Sequence, residues 1–269
     1  MKAFRYCIVR YFVVSASLLL VLILESHTVV YADDHISVYT EEFYPLSYAN
    51  QNGISGYATE LATAVLDEAG ISYDINLVPW VRVIRALDGD ANVLAFSMFR
   101  TKDRETKYHW VGEVIPLNYS LYGLKRKLNL LPKTLELARD TKIGVNRGDV
   151  AQSYLSSLGF SNLILVKDDE RSLYMLARNR IDLFPYAEIV INAFVEHHGF
   201  EPDDFFAVLK LQEISTSAYM ALSQKTDPKM VSRMQEAYKN VKMNGTYDRI
   251  MKQLVSGIEK NNTGMDSKK

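Results

Sequence analysis

From Ile36 onward the chain alternates strand-like and helix-like patterns, and that alternation limits the fold more than any other feature. Residues 36–40 read as a strand. Residues 55–69 then place Ala58, Leu61, Ala62, Val65, Leu66 and Ala69 on one helical face, with Gly70 as the stop. A second strand is expected over 73–78. Pro79 can open the next helix at its first turn, Ile84 and Leu87 continue the apolar face, and Gly89 ends it before a strand over 92–96. A β-α-β-α-β order is the rhythm of a largely parallel sheet.

A second α/β cycle follows Pro132. It predicts a helix to Ala138, a strand over 142–145, a helix over 149–158, a strand over 163–166, a helix over 171–177, a strand over 181–184 and a helix over 187–195. Residues 117–124 and 215–222 are extended and rich in β-formers, which suits two chain crossings between lobes. Two crossings make a hinge. The expected division is lobe 1 over 33–120 and 218–258 and lobe 2 over 121–217, with helices over 228–241 and 246–255 returning to the first lobe and a disordered tail over 259–269.

Residues 1–32 have the layout of a cleaved secretory signal: Lys2, Arg5 and Arg10 without an acid, an apolar run over 11–24, and Val30-Tyr31-Ala32 before Asp33. The run is broken by Ser15 and Ser17 and stops at Glu25, short of the roughly 20 apolar residues of a spanning helix, although a membrane anchor is the competing reading. Periplasmic export with cleavage near Ala32 is the expectation. Cys7, the only cysteine, lies in the segment to be removed, so the mature protein has no disulfide and no thiolate metal site. What remains is weakly acidic with both signs interspersed, unlike a nucleic-acid-binding surface, and Lys125-Arg126-Lys127 reads as a solvated loop. A monomer is expected.

Several segments carry a resemblance. Phe43-Tyr44-Pro45-Leu46-Ser47-Tyr48, Gly53-Ile54-Ser55-Gly56-Tyr57, Pro79-Trp80, Phe96-Ser97-Met98-Phe99-Arg100-Thr101-Lys102-Asp103-Arg104, Ile143-Gly144-Val145-Asn146-Arg147-Gly148, Arg180-Ile181-Asp182 and Asn244-Gly245-Thr246 follow one another as in the family 3 periplasmic solute-binding proteins. The chain resembles the amino-acid-binding members from about Ile36 to Leu254. The resemblance implies an α/β, two-lobe type 2 periplasmic binding protein fold with a two-strand hinge, closing on a small polar solute. The solute would pass to the membrane permease of an ABC transporter or be reported to a membrane sensor.

Arg104 matches the arginine of the family's Thr-x-x-Arg, which pairs with the ligand carboxylate; a planar, permanently charged fork suits that task. Ser97 lies in the same stretch. Arg100 has two readings, a cleft contact or a residue that shapes the loop. Phe43 falls where the family places a ring against the ligand, and Trp80 could supply a second wall, though each also suits an ordinary core. Gly148 precedes a helix start that could hold an anion. Asp149 departs from the family's small hydroxyl and would cap that helix itself, competing with the ligand for the same donors.

Phe99 replaces a hydroxyl that helps bind the head group, and Ala187 replaces the acid that receives an ammonium, with Glu188 beside it. Glu188, Asp149, Glu41 or Glu42 could receive a cation instead. Adjacent helical residues point about 100° apart, so Glu188 on the expected helix is not an automatic substitute. No catalytic residue, cofactor or metal site is expected: there is no phosphate-cradling glycine loop, no His-Glu-x-x-His and no Gly-x-Ser-x-Gly, and His197-His198 lacks the spacing for one metal. Some proteins that look like this family are dehydratases or lytic enzymes, so fold by itself leaves catalysis open.

Overall fold

The computed structural model describes residues 34–263. Residues 1–33, which hold the expected signal, and the last six residues lie outside the described residues. The first lobe builds a five-stranded sheet from β1 (His35–Thr40), β4 (Ser72–Leu77), β5 (Val93–Phe99), β6 (Tyr108–Leu117) and β12 (Thr216–Ser223), in the order β4-β1-β5-β12-β6. β1 runs parallel to β4 and β5, as the β-α-β rhythm requires. β12 is antiparallel to β5 and β6. β6 carries the chain out of this sheet and β12 brings it back, so side-by-side crossings need opposed directions.

Helix α1 (Tyr57–Ala69) buries Ala58, Leu61, Ala62, Val65 and Leu66, the face its spacing predicts. Gly70 closes it at φ 63°, its N–H bonded back to the carbonyls of Asp67 and Leu66. Removing Leu61, Val65 and Leu66 from water contributes roughly 1.5–3 kcal/mol for each. Helix α2 (Trp80–Gly89) buries Trp80, Val83, Ala86 and Leu87, while Ile84 is only partly covered. The C-terminal helices α6 (Pro228–Met243) and α7 (Thr246–Thr263) return to this lobe, where the hydroxyls of Tyr238 and Tyr247 donate to the carbonyls of Glu113 and Val114 at 2.8 and 3.2 Å. The Tyr238 ring lies on Gly112, where an added Cβ would meet it at 2.4 Å.

The second lobe joins the antiparallel sheet β10-β7-β11, from β7 (Tyr119–Leu124), β10 (Phe184–Ala187) and β11 (Phe205–Lys210), to the parallel pair β8 (Ile143–Asn146) and β9 (Leu163–Val166). A bridge between Ile143 and Leu183 connects the two. Helices α3 (Val150–Ser157), α4 (Asp169–Ala177) and α5 (Ile191–His197) pack on this framework. A small hairpin, β2 (Tyr48–Asn50) and β3 (Gly53–Ser55), completes the strands.

Sheet pairing changes hands at Asn118 and between Lys210 and Thr216, close to the expected crossings. The two crossings are bonded to each other. Ser215 Oγ accepts from the Tyr119 amide at 2.9 Å and donates to the Leu211 carbonyl at 2.9 Å, and the Leu211 amide donates to the Tyr119 carbonyl at 2.8 Å.

Three expectations change. Residues 132–138 form turns, held by the Ala138 amide on the carbonyls of Thr134 and Leu135 and by the Leu137 amide on Thr134 Oγ1, too short a stretch to continue as a helix. Residues 184–187 are strand, with the helix starting only at Ile191, because Phe184 to Ala187 pair with β7. The segment Lys125-Arg126-Lys127 keeps the solvated surface position the sequence predicts, with Arg126 exposed and bonded to the Ala177 carbonyl and Asn179 and Lys127 paired with Asp182 at 3.1 Å. Helix α7 runs to Thr263, through the first part of the tail expected to be disordered.

Candidate functional site

The carboxyl ends of β1 and β5 and the start of α2 face the starts of α3 and α4 across the cleft. β1 hands over to Glu41 and Glu42, β5 to the turn carrying Arg104, and α2 opens with Trp80. From the other lobe come Gly148 and Asp149, before α3, and Asp168 and Asp169, at the start of α4.

The lobes touch. Trp80 Nε1 donates to the Gly148 carbonyl at 3.1 Å, the Tyr186 hydroxyl donates to the Tyr44 carbonyl at 3.4 Å, and the Tyr44 ring stacks on His197 with centroids 3.9 Å apart. Gly148 holds φ 79°, a left-handed conformation natural to glycine. Beside the contact lies a cavity of about 170 Å³ lined by Glu41, Glu42, Leu77, Pro79, Lys167 and Asp168.

Arg104 is half-buried and lies over the Trp80 ring at 5.6 Å, with Nη1 donating to the Phe99 carbonyl at 3.3 Å. No carboxylate lies within 4.0 Å of its guanidinium among the described residues, so its fork is available to a ligand. Arg100 is engaged otherwise. Its Nε and Nη2 donate to both oxygens of Glu105 at 2.8 and 2.5 Å, and the guanidinium lies against Trp110 and Tyr219 at 5.3 Å from each ring, a geometry that supports the loop-shaping reading.

Ser97 occupies a bulge. Leu94 and Phe96 pack in one core cluster and Val93 and Ala95 in another, but after Ser97 the alternation slips, so that Met98 joins the second and Phe99 the first. The pairing of β5 with β12 shifts register at the same place, and Ser97 takes φ 60° to allow it. Its Oγ is enclosed and has no hydrogen-bond partner. The pairing of β1 with β5 covers Ser37 to Tyr39 against Val93 to Ala95 and ends before this bulge.

Asp149 caps α3, its Oδ1 accepting from the Val150 amide at 2.6 Å. Asp168 caps α4 by accepting from the Arg171 amide at 2.9 Å. Burial raises the pKa of Asp149, offset by the Val150 amide and by Arg104. Glu41 and Asp169 are pushed well up, first by burial and then by like charge, from Asp169 and Asp149 on Glu41 and from Asp149 and Asp168 on Asp169. The enclosed phenols of Tyr119 and Tyr186 are raised by burial and by the same carboxylates.

Phe43 and Phe99 are buried rings. Phe43 meets Tyr186 edge-on at 5.5 Å and Phe99 meets Tyr119 at 4.9 Å, so both join the cleft floor to tyrosines of the second sheet. Glu188 follows strand β10 and accepts from Ser120 Oγ at 2.6 Å, beside the crossing at Asn118. It belongs to the connection end of the second sheet. Asp169, Tyr119 and Tyr186 were not singled out from sequence; the run Asp168-Asp169-Glu170 before an apolar helix was the available signal, since acids are favoured in a first helical turn. Among the described residues no cluster of His, Cys, Asp and Glu is arranged to hold a metal ion, and no helix is long and apolar enough to cross a membrane.

Over residues 36–256 the sequence matches the bacterial extracellular solute-binding proteins, family 3. No curated relative matches it. Among solved structures it is similar to a histidine kinase sensor domain with similarity to periplasmic binding proteins, at 20% identity and TM-score 0.72, covering 83% of this chain and 97% of that one. It is similar to an ancestral arginine-binding protein bound to glutamine, at 20% identity and TM-score 0.70, with 82% and 97% covered. The arginine-, lysine-, histidine-binding protein ArtJ from Geobacillus stearothermophilus gives 18% identity and TM-score 0.70, with 82% and 95% covered. At these identities the structures speak for the fold. With the sequence match over most of the chain, and two sheets linked by paired crossings, the chain belongs to the family 3 bacterial extracellular solute-binding proteins and has the two-lobe type 2 periplasmic binding fold.

Proposed function

We propose that this protein is exported to the periplasm, captures a small polar, carboxylate-bearing solute, an amino acid or analogue, and delivers it to the membrane permease of an ABC transporter. One observation carries the reading: Arg104, without a carboxylate partner, rests on the same Trp80 ring whose N–H bonds to the opposite lobe. A solute anion on Arg104 therefore sits against the contact that closes the cleft. Trp80 and Phe43 wall the ligand, Ser97 offers a hydroxyl, and rigid-body closure occurs about the crossings at Asn118 and Leu211 to Ser215. Binding proteins among the structural neighbours, including one for arginine, lysine and histidine, support a binding role without turnover.

A sensing role is the second reading, favoured by the likeness to a histidine kinase sensor domain. Screening a solute library by thermal shift tests the common core, because a ligand at a hundred times its dissociation constant adds about 2.7 kcal/mol. No stabilisation by any solute would refute it. Uptake of the labelled ligand by cells with and without the gene then separates transport from sensing.

A further inference from the structure

We propose that the first lobe carries a second site, apart from the interlobe cleft, for a small organic cation of the methylated-ammonium type, held among Tyr44, Tyr48 and Tyr57 with Glu60 as its counter-charge. These four side chains line a cavity of about 510 Å³ that shares no residue with the cavity beside Trp80 and does not include Arg104. Local geometry builds it. Tyr48 opens β2, Tyr57 opens α1, and Glu60 follows three residues later on the same helical face. Gly56, at φ 123°, folds the β2-β3 hairpin against the chain before it, where an added Cβ would collide with the Leu46 carbonyl. Gly257 of α7 leaves room for the Tyr57 hydroxyl, which a Cβ there would meet at 2.8 Å.

Among the described residues lining this cavity, Glu60 is the one charged side chain, so the wall favours a cation over an anion. Its Oε1 accepts from Arg249 Nη1 at 2.9 Å, but with the two side chains 44% and 51% exposed that pair is screened by solvent and yields readily to a ligand charge. Glu60 also bears on the Tyr57 phenol and Glu196 on the Tyr44 phenol, each raising it after burial and the neighbouring phenols have done so. Tyrosine rings attract cations through the negative faces of their π-systems. The Tyr44 and Tyr48 rings lie 4.8 Å apart at 56°, an angled pair with Tyr57 on the same wall. The hydroxyls of Ser55, Thr59 and Thr63, the other polar side chains of the lining, are engaged with Asn50 and with the carbonyls of Ser55 and Glu60. A methylated ammonium has no N–H to satisfy and loses nothing by that. Tyr44 also stacks on His197 of the second lobe, so occupancy of this cavity and closure of the lobes share one ring.

The test is ligand-observed proton NMR titration of the mature protein with choline, tetramethylammonium and neohexyl alcohol, the uncharged carbon analogue of choline. Choline is expected to bind at least about threefold tighter than neohexyl alcohol, the margin of a partly exposed cation–π contact. Tyr48→Leu and Tyr57→Leu should each remove most of that margin, Tyr57→Phe should keep it because the ring remains, and Glu60→Gln should reduce it. Unfolding curves accompany each variant; where a leucine variant is unstable, Glu60→Gln, altered only at an exposed carboxylate, carries the comparison. Amide shifts of the isotope-labelled protein on adding choline should fall around Tyr48, Tyr57 and Glu60. Equal affinity for choline and its neutral analogue, no binding of choline, or shifts confined to the cleft around Trp80 and Arg104 overturns the inference. None of these outcomes bears on the solute-binding reading of the cleft, which the thermal-shift screen decides by itself.

Discussion

Replacing Trp80 by Phe tests whether the lobes close on one defined bond. The ring is 3% exposed and an aromatic remains in its place, so the specific loss is the indole N–H donated to the Gly148 carbonyl at 3.1 Å. Gly148 is exposed, so its carbonyl recovers a water and the penalty of an unsatisfied acceptor is avoided. A neutral hydrogen bond of this kind is worth about 0.5–1.5 kcal/mol net, or roughly twofold to thirteenfold in an equilibrium constant. Because the bond exists only when the lobes meet, that factor falls on closure, and solute affinity drops with it. Titration of wild type and Trp80→Phe with a solute from the library measures the affinity. Energy transfer between dyes placed on Asn52 and Ser161, one exposed site in each lobe, follows closure. Unfolding curves without ligand report the separate loss of packing from the smaller ring. Unchanged affinity together with an unchanged distance distribution would refute the argument.

Arg104→Ala should lower the affinity for a carboxylate solute about thirtyfold to several-thousandfold, the 2–5 kcal/mol of a broken buried charge pair, and Arg104→Lys should recover part of it; titration of both variants, with unfolding curves of the free proteins, checks this. Gly112→Ala should destabilise the fold by about 1–3 kcal/mol in urea unfolding without changing solute affinity, because its Cβ would meet the Tyr238 ring at 2.4 Å and force a shift far from the cleft. Glu41 and Asp169 bind protons more tightly folded than unfolded, so the stability this gives is full below their ordinary carboxylate values and is lost as pH rises through the raised ones. The melting temperature of the free protein minus that of Glu41→Gln should therefore fall from about pH 4 towards neutrality, and a rise would show that the carboxylate is held ionised.

The fold was legible wherever a local pattern carries its own geometry. The face of α1, its glycine stop and the parallel β1-β4-β5 core follow from spacing and from Gly70, because helical period and strand alternation are properties of consecutive residues. β10 was misplaced for the opposite reason. Phe184-Pro185-Tyr186-Ala187 has no alternation of its own, and its strand character comes from pairing with β7, more than sixty residues earlier. The bulge at Ser97 is equally silent in sequence: the apolar run over 93–99 reads as a buried strand, and only the partition of its side chains between two core clusters reveals the slip.

The cleft shows the same division between what neighbours in sequence specify and what the fold assembles. Arg104 could be found because four residues spell its turn, and Asp149 as a cap because a helix start is local. Asp169 could not. In isolation it is an acid in a first helical turn, where a carboxylate is favoured on any helix. It becomes a candidate ligand group only because β9 ends against the lobe opposite Glu41, 128 positions away, and because Asp168 rather than Asp169 satisfies the helix amides. The departures at Phe99 and Ala187 belong to the same account. Phe99 gives up a hydroxyl and packs on Tyr119, and Ala187 is a closed strand position paired with that tyrosine. With Phe99 and Ala187 both engaged in packing, the polar side chains about the cleft include Ser97, Arg104, Lys167 and the opposed carboxylates, and on the proposed reading it is their charge pattern that a solute matches.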